Sequence, residues 1–271
     1  MESERKKEVI EDIESQLGVN LSAAKYEFYT DGATDATVFS IDGKYLVKIT
    51  DLNTVQTQRE FLKENPNNVF QNLLCSSDDL SYLCFEFIEG KHYDGNEIDA
   101  KEATEQIRQI VGNYRKYPHD GYGFLNEEHV SWRAFLLDEI EYARRTIQDV
   151  PTEKVMSALE VAGSENPEQY LLHGDFGTHN FLLQNGKIRV IDPMPLVGDY
   201  LYDFYFALLS NVEIFTRLGA DYIYSFFPER ELSYKRAILT VALYVRMSRA
   251  ATYDKDNLPA YFDLYGAIIE K

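Results

Sequence analysis

The sequence predicts an α+β chain in two parts: a five-stranded antiparallel sheet with one main helix over residues 1–90, and a mostly helical part over residues 91–271. Three observations lead there. Short β-branched and aromatic runs separated by turn residues fill residues 26–88, helical periodicity dominates from Gly90 onward, and a single β-rich island at 170–192 interrupts it. No internal repeat or low-complexity run occurs, which excludes repeat architectures.

Taken in order, Arg5 to Leu17 sets Val9, Ile10, Ile13 and Leu17 at helical spacing with charged residues on the other face. The runs YEFYT, ATVFSI and YLVKI then read as three strands separated by DGATD and DGK, and Asp42-Gly43 between two alternating runs is a hairpin signal. A polar helix spans Asn53 to Glu64 and closes at Asn65-Pro66. Two more strands, QNLLC and SYLCFEFI, are joined by the turn-rich SSDD and carry Cys75 and Cys84 as small hydrophobes. After a hinge at Ile88 to Tyr93, helices are predicted near Glu97–Tyr114, Trp132–Gln148, Glu153–Ala162, Tyr200–Leu218 and Leu232–Arg249.

Composition narrows the function classes. With 271 residues, 45% of them hydrophobic and 27% charged, the chain has the profile of a folded globular protein. No run approaches the roughly 20 apolar residues of a spanning helix, so membrane insertion is not expected. The first fifteen residues lack an apolar signal core and only two cysteines occur, so a cytoplasmic location is expected. The balance of 45 acidic against 27 basic side chains gives a formal charge of −18. That sign disfavours nucleic acid and anionic lipid as partners and favours a cationic one, although solubility alone accounts for it about equally well.

The most specific stretch is LLHGDFGTHNFLLQNGKIRVIDPMPLVGDYLYD, residues 171–203. Asp175 and Asn180 lie five apart on a Gly-containing loop, and Asp192 ends the strand KIRVID. Asn185-Gly186 makes FLLQ and KIRVI a hairpin, which is expected to bring Asn180 and Asp192 near each other. Carboxylate and amide oxygens suit Mg²⁺, which completes its shell with water and substrate phosphates. Phosphoryl transfer needs that set: an Asp to accept a hydroxyl proton, and an Asn and an Asp to hold metal on the phosphates.

HGDFGTHNFL resembles the H-G-D-x-x-x-x-N catalytic loop of the aminoglycoside phosphotransferase and choline kinase group of small-molecule kinases, which have a bilobal protein-kinase-like fold. IDPMPLVGDYLYD resembles the segment that follows it there, DGATDATVFSI the nucleotide loop, YLVKI the lysine-bearing strand, REFL the αC-like helix and FEFIEG the hinge. The likeness runs in order over most of residues 25–210, with two departures: DGATDATV lacks a G-x-G-x-x-G, and Pro193-Met194-Pro195 follows Asp192. The resemblance implies Asp175 as catalytic base, Asn180 and Asp192 as Mg²⁺ ligands, Lys48 on the α- and β-phosphates and Glu60 as the partner of Lys48. It also implies that Glu86 C=O and Ile88 N–H bind the base of ATP or GTP, with Phe85 behind it, and leaves the choice of nucleotide open.

For the acceptor, the resemblance and the charge together favour a small cationic molecule, an aminoglycoside first, with antibiotic resistance as the biological role. A metabolic kinase acting on choline, an amino sugar or a hydroxy amino acid is the alternative, and a nucleotide-binding regulatory protein without turnover a third. Candidate acidic contacts are Asp138 to Glu141 and Asp254 to Asp263, which a solvated surface explains equally well. His173 is expected to pack under the loop, Asp203 to buttress it and Trp132 to pack in the core, while His179 faces either substrate or solvent. The sequence carries no indication of oligomeric state.

Overall fold

The computed structural model describes residues 2–29 and 36–269. In chain order its elements begin with α1 (Glu2–Leu17), β1 (Tyr26–Tyr29), β2 (Thr37–Ile41), β3 (Tyr45–Ile49), α2 (Leu52–Glu64), β4 (Leu73–Ser77), β5 (Tyr82–Glu86) and β6 (Lys91–His92). There follow α3 (Ala100–Gly112), β7 (Gly123–Phe124), α4 (Trp132–Thr146), α5 (Glu153–Ala162), β8 (Tyr170–Leu172), β9 (Phe181–Gln184), β10 (Lys187–Val190) and β11 (Leu196–Gly198). The chain ends in α6 (Tyr200–Leu209), α7 (Val212–Leu218), α8 (Ala220–Tyr224), α9 (Leu232–Tyr253) and α10 (Leu258–Ile269). Two compact units result, Met1–Lys91 with Leu182–Met194, and His92–Phe181 with Pro195–Lys271.

The first unit is built on a five-stranded antiparallel sheet of order β1-β2-β3-β5-β4. Asp42 and Gly43 adopt positive φ, 53° and 62°, in the hairpin between β2 and β3, as their residue types favour. Strand alternation sorts the two faces. Phe39, Ile41, Val47 and Ile49 pack with Val9 and Ile13 of α1, and Cys75 and Cys84, paired across β4 and β5 and both unoxidised, join them. Leu83 and Phe85 pack on the opposite face with Val55 of α2 and with Leu46, two residues before Lys48. That parity puts Lys48 on the α2 side of the sheet. Segment 182–194 groups with this unit because Val190 exchanges backbone hydrogen bonds with Val69 (2.9 Å) and Gln71 (3.0 Å).

In the second unit the 22-residue α9 packs against α4, α5, α6 and α10. A small antiparallel sheet, β7-β11-β8, leads into the loop after Leu172. Trp132 is fully buried among Tyr122, Phe135 and Tyr202. Gly198 sits so close that a Cβ there would lie 2.4 Å from Trp132 Cζ3, so only glycine fits without displacement. The helix predicted over Tyr200–Leu218 is broken into α6 and α7: Ser210 Oγ donates to Ala207 O (2.6 Å), and Asn211 accepts from Ile214 N–H (3.1 Å) as a new N-cap. Beyond the predicted helices the structure adds α8 and α10. No helix among the described residues is long and apolar enough to cross a membrane.

Candidate active site

The loop after β8 is held from α6. Asp203, in the first turn of that helix and fully buried, accepts hydrogen bonds from His173 N–H (2.8 Å), Gly174 N–H (3.2 Å) and Tyr114 Oη (2.8 Å). Burial pushes its carboxyl up to about 7, against the pull of the Tyr114 and backbone donors. Asp199 caps the same helix by accepting from Leu201 N–H (2.9 Å), pairs with Arg230 and accepts from Tyr234 Oη (2.8 Å). Farther along the loop, Thr178 N–H donates to Ser210 Oγ (2.9 Å), the hydroxyl that also ends α6. Helix break and loop anchor are therefore the same side chain.

Asp175 stands on this loop with donors around its carboxylate. Asn180 Nδ2 donates to its main-chain O (2.9 Å) and to Oδ2 (3.2 Å), His179 Nε2 lies 2.9 Å from Oδ2, and Arg249 Nη1 donates to Oδ1 (3.2 Å). A carboxylate only accepts, so His179 Nε2 carries the proton of that bond. Burial by itself raises the Asp175 carboxyl, but the His179 hydrogen bond and charge, with Arg249 and His173 behind them, hold it well below the usual carboxylate range. The question left by the sequence is thereby answered: His179 turns to Asp175.

Arg249 was not among the residues singled out in the sequence. It reaches Asp175 from α9, passes over the Phe206 ring at 4.9 Å, and lies 3.9 Å from Glu139 Oε2. Glu139 is a member of the acidic Asp138–Glu141 run, and it accepts from Tyr202 Oη (3.1 Å). Burial pushes its carboxyl up, with Arg249 and Tyr202 opposing. One signal for Arg249 was available: Arg246 and Arg249 lie three apart in the otherwise apolar VALYVRMSRAA, and cations on a core-facing helix need anionic or aromatic partners.

In the first unit Lys48 is buried and forms an ion pair with Asp192. Gln58 of α2 completes this group, its Nε2 donating to Asp192 Oδ1 (2.7 Å) and to Pro193 O (2.8 Å). Asp192 holds φ at 55°, a conformation that costs a non-glycine residue about 1–3 kcal/mol unless its surroundings fix it; Lys48 and Gln58 do so. The sheet-facing residues of α2 are Val55, Gln58 and Phe61; Glu60, two residues on from Gln58, is half-buried and lies 3.6 Å from Lys63 Nζ. Glu86 C=O accepts from Gln71 Nε2 (3.0 Å), and Phe85 and Ile88 are buried. The first part of the nucleotide-loop resemblance, residues 31–35, lies outside the described residues.

Asn180 falls in the second unit and Asp192 in the first. Each suits a hard cation. Asn180 commits its amide nitrogen to Asp175, which turns Oδ1 away as a ligand oxygen, and Asp192 commits Oδ1 to Lys48 and Gln58, which leaves Oδ2. Among the described residues no group of three or more His, Cys, Asp or Glu stands ready to hold a metal.

The chain resembles the solved structure of aminoglycoside phosphotransferase APH(4)-Ia, 17% identical over 98% of each chain with a TM-score of 0.63. A thermostable mutant of that enzyme, in ternary complex with ADP and hygromycin B, is 18% identical over 96% of this chain and 97% of its own, with a TM-score of 0.63. A putative fructosamine-3-kinase from Haemophilus somnus 129PT is 15% identical over 95% of this chain and 94% of its own, at 0.62. No curated protein sequence matches the chain. At such identities the likeness establishes the fold, the protein-kinase-like α+β fold expected from the sequence. The phosphotransferase enzyme family profile matches residues 25–232, from before the lysine strand to the start of α9. Since that span covers well over half of the chain, the chain belongs to the phosphotransferase enzyme family.

Proposed function

We propose that this protein transfers the γ-phosphoryl group of ATP or GTP to a hydroxyl of a small cationic molecule, an aminoglycoside in the first instance, in the cytoplasm, with antibiotic resistance as the outcome. The observation that carries this reading is the state of Asp175: an ionised carboxylate on a loop fixed by Asp203 and Ser210, with Asn180 bonded to it. Asp175 orients the acceptor hydroxyl and takes its proton as the oxygen attacks the γ-phosphorus, and the bond to the β-phosphate oxygen breaks. Lys48 binds the α- and β-phosphates, with Glu60 as the second acidic group assigned to its neighbourhood. Glu86 C=O has a second lone pair beside the Gln71 bond, and with Ile88 N–H it receives the nucleotide base. Asn180 and Asp192 would each offer an oxygen to Mg²⁺, which when bound would neutralise charge on the β- and γ-phosphates. The remainder of the rate comes from holding the two substrates in line.

Two considerations support a cationic acceptor. Glu139, buried close to Arg249, is an acidic group near the base, and one structurally similar protein is held in complex with hygromycin B. The resemblance to a putative fructosamine-3-kinase supports the metabolic alternative, an amino sugar. A radiometric ATP and GTP assay against aminoglycosides, choline and amino sugars tests both, with Asp175→Asn as control. Transfer to an aminoglycoside that the substitution abolishes is the expected result. Nucleotide binding without transfer to any acceptor would overturn the reading in favour of a regulatory protein.

A further inference from the structure

Arg246 stands on α9 three residues before Arg249 and is 8% exposed. A guanidinium stays charged and carries five N–H donors. Among the described residues none of the five meets an acceptor: Arg246 has no ion pair or side-chain hydrogen bond, Nε is enclosed without a partner, and Cζ lies 4.9 Å from the centre of the Phe206 ring. Lys235, as deeply buried on the same helix, gives Nζ to the main-chain O of Tyr224 (2.6 Å) and Phe226 (3.1 Å), and the buried Lys48 pairs with Asp192. A ring face attracts the charge of Arg246 yet leaves its donors without an oxygen. A buried charge in that condition is costly and calls for an oxyanion from outside the chain. Phe206 also fixes where the donors lie. Arg249 sits 4.9 Å from the same ring centre, so the two guanidinium carbons are within twice that distance of each other, and Arg249 Nη1 reaches Asp175 Oδ1 at 3.2 Å. The carboxylates of this neighbourhood, Asp175 and Glu139, turn to Arg249 and not to Arg246.

We infer that Arg246 is the binding residue for a carboxylate on the acceptor, held by the guanidinium while the acceptor's hydroxyl lies at Asp175. The inference rests on the phosphotransferase reading above and deepens it by naming the acceptor class: a hydroxy acid, hydroxy amino acids included. An aminoglycoside brings no anion to Arg246, so the choice moves to the metabolic alternative. A carboxylate supplies two coplanar oxygens, which match the N–H fork of a guanidinium bidentately, and it neutralises the charge that the chain leaves uncompensated. The reach from Asp175 past Arg249 to Arg246 is that of a small molecule, a few carbons between hydroxyl and carboxylate. The overall charge of −18 opposes an anion at long range. Inside the screening length, about 8 Å at physiological ionic strength, the nearby guanidinium groups outweigh it.

The test compares wild type, Arg246→Met and Arg246→Lys, after thermal melts establish that each is folded. The probes are L-serine, L-homoserine and 4-hydroxybutyrate, each beside its amide, which keeps the shape and hydroxyl and removes the negative charge. Affinities are measured by ligand-observed NMR with ADP present, and initial rates with ATP and GTP follow. Wild type is expected to bind at least one acid about tenfold or more tightly than its amide. Arg246→Met should bind that acid no better than the amide, while Arg246→Lys, which keeps the charge and loses the fork, should retain part of the preference. In turnover, Arg246→Met should raise the acceptor KM by the same factor and leave the nucleotide KM unchanged. Wild type that prefers no acid to its amide, or a preference that survives in Arg246→Met, overturns the inference. Transfer to an aminoglycoside that Arg246→Met leaves unchanged, with no acid bound, also overturns it and leaves the phosphotransferase reading standing. An Arg246-dependent preference for the acid in a protein that transfers no phosphoryl group would instead refute the phosphotransferase reading and leave the anion site standing.

Discussion

Gln58 offers the sharpest test of the first unit, because its role follows from geometry alone. Replacing it with Met keeps the volume and helix propensity and removes both of its hydrogen bonds, at 2.7 Å to Asp192 Oδ1 and 2.8 Å to Pro193 O. A hydrogen bond to a charged group contributes about 1.5–3 kcal/mol and one to a neutral carbonyl about 1 kcal/mol. Asp192 is nearly half exposed, its side chain at 46%, and keeps its ion pair with Lys48, so water recovers much of the first contribution. The net loss of constraint on Asp192 is then about 1–2 kcal/mol, or roughly 5- to 30-fold. Since Asp192 sits at φ 55°, relief of that strain moves its carboxylate away from its present direction. Under the proposed function, kcat/KM for the nucleotide falls by about tenfold, the Mg²⁺ activation curve shifts to higher concentration and the acceptor KM stays constant. Steady-state kinetics over a Mg²⁺ series measures all three. A folded Gln58→Met enzyme whose Mg²⁺ curve and nucleotide kcat/KM lie within twofold of wild type would refute the assignment of Gln58 as a positioning residue for Asp192.

Further predictions concern the loop, the lysine and the core. Lys48→Met leaves Asp192 without its cation and is expected to raise the nucleotide KM by an order of magnitude or more, read by initial rates. Ser210→Ala removes the acceptor of Thr178 N–H and should cost about 1–2 kcal/mol, seen as a several-fold fall in kcat with the nucleotide KM unchanged. Asp203, raised to about 7 from 3.8, binds its proton more tightly folded than unfolded, so its contribution to stability declines as pH rises from about 4 to about 7 and is flat above. Asp203→Asn should flatten that slope in urea titrations across pH, and an unchanged slope would mean another group produces it. Gly198→Ala drives a methyl to 2.4 Å from Trp132 Cζ3 and should lower stability by about 1–3 kcal/mol in the same titrations.

Much of the first unit was legible because its signals are local. Asp42-Gly43 and Asn185-Gly186 turn where positive φ is needed, at 53° and 62° and at 52° and 74°. Asp175 and Asn180 were legible from spacing, since a five-residue interval in a short turn lets the amide reach back to the carboxylate. Gln58 was not legible. In LNTVQTQREFLKE a glutamine looks like surface, and its partner Asp192 is 134 residues away, a separation over which periodicity carries no signal. The Tyr200–Leu218 helix was overextended because Ser210-Asn211 is too short to interrupt an apolar pattern. The Ser210 Oγ bond to Ala207 O and the Asn211 cap on Ile214 N–H stop the helix there.

Trp132 is the single indole of the chain, and it is fully enclosed in the second unit by Tyr122, Phe135 and Tyr202. It therefore serves as a built-in optical label for one unit only: its emission should be that of an indole shielded from water and should shift to the red when, and only when, the second unit opens. Tyr202, edge-on to the indole at 5.9 Å, also donates to Glu139, so the label stands one side chain from the Glu139–Arg249 pair. Circular dichroism reports both units together. Superimposing the two denaturation curves would show whether the sheet and the helices melt as one cooperative body or in sequence, with no dye, tag or substitution introduced.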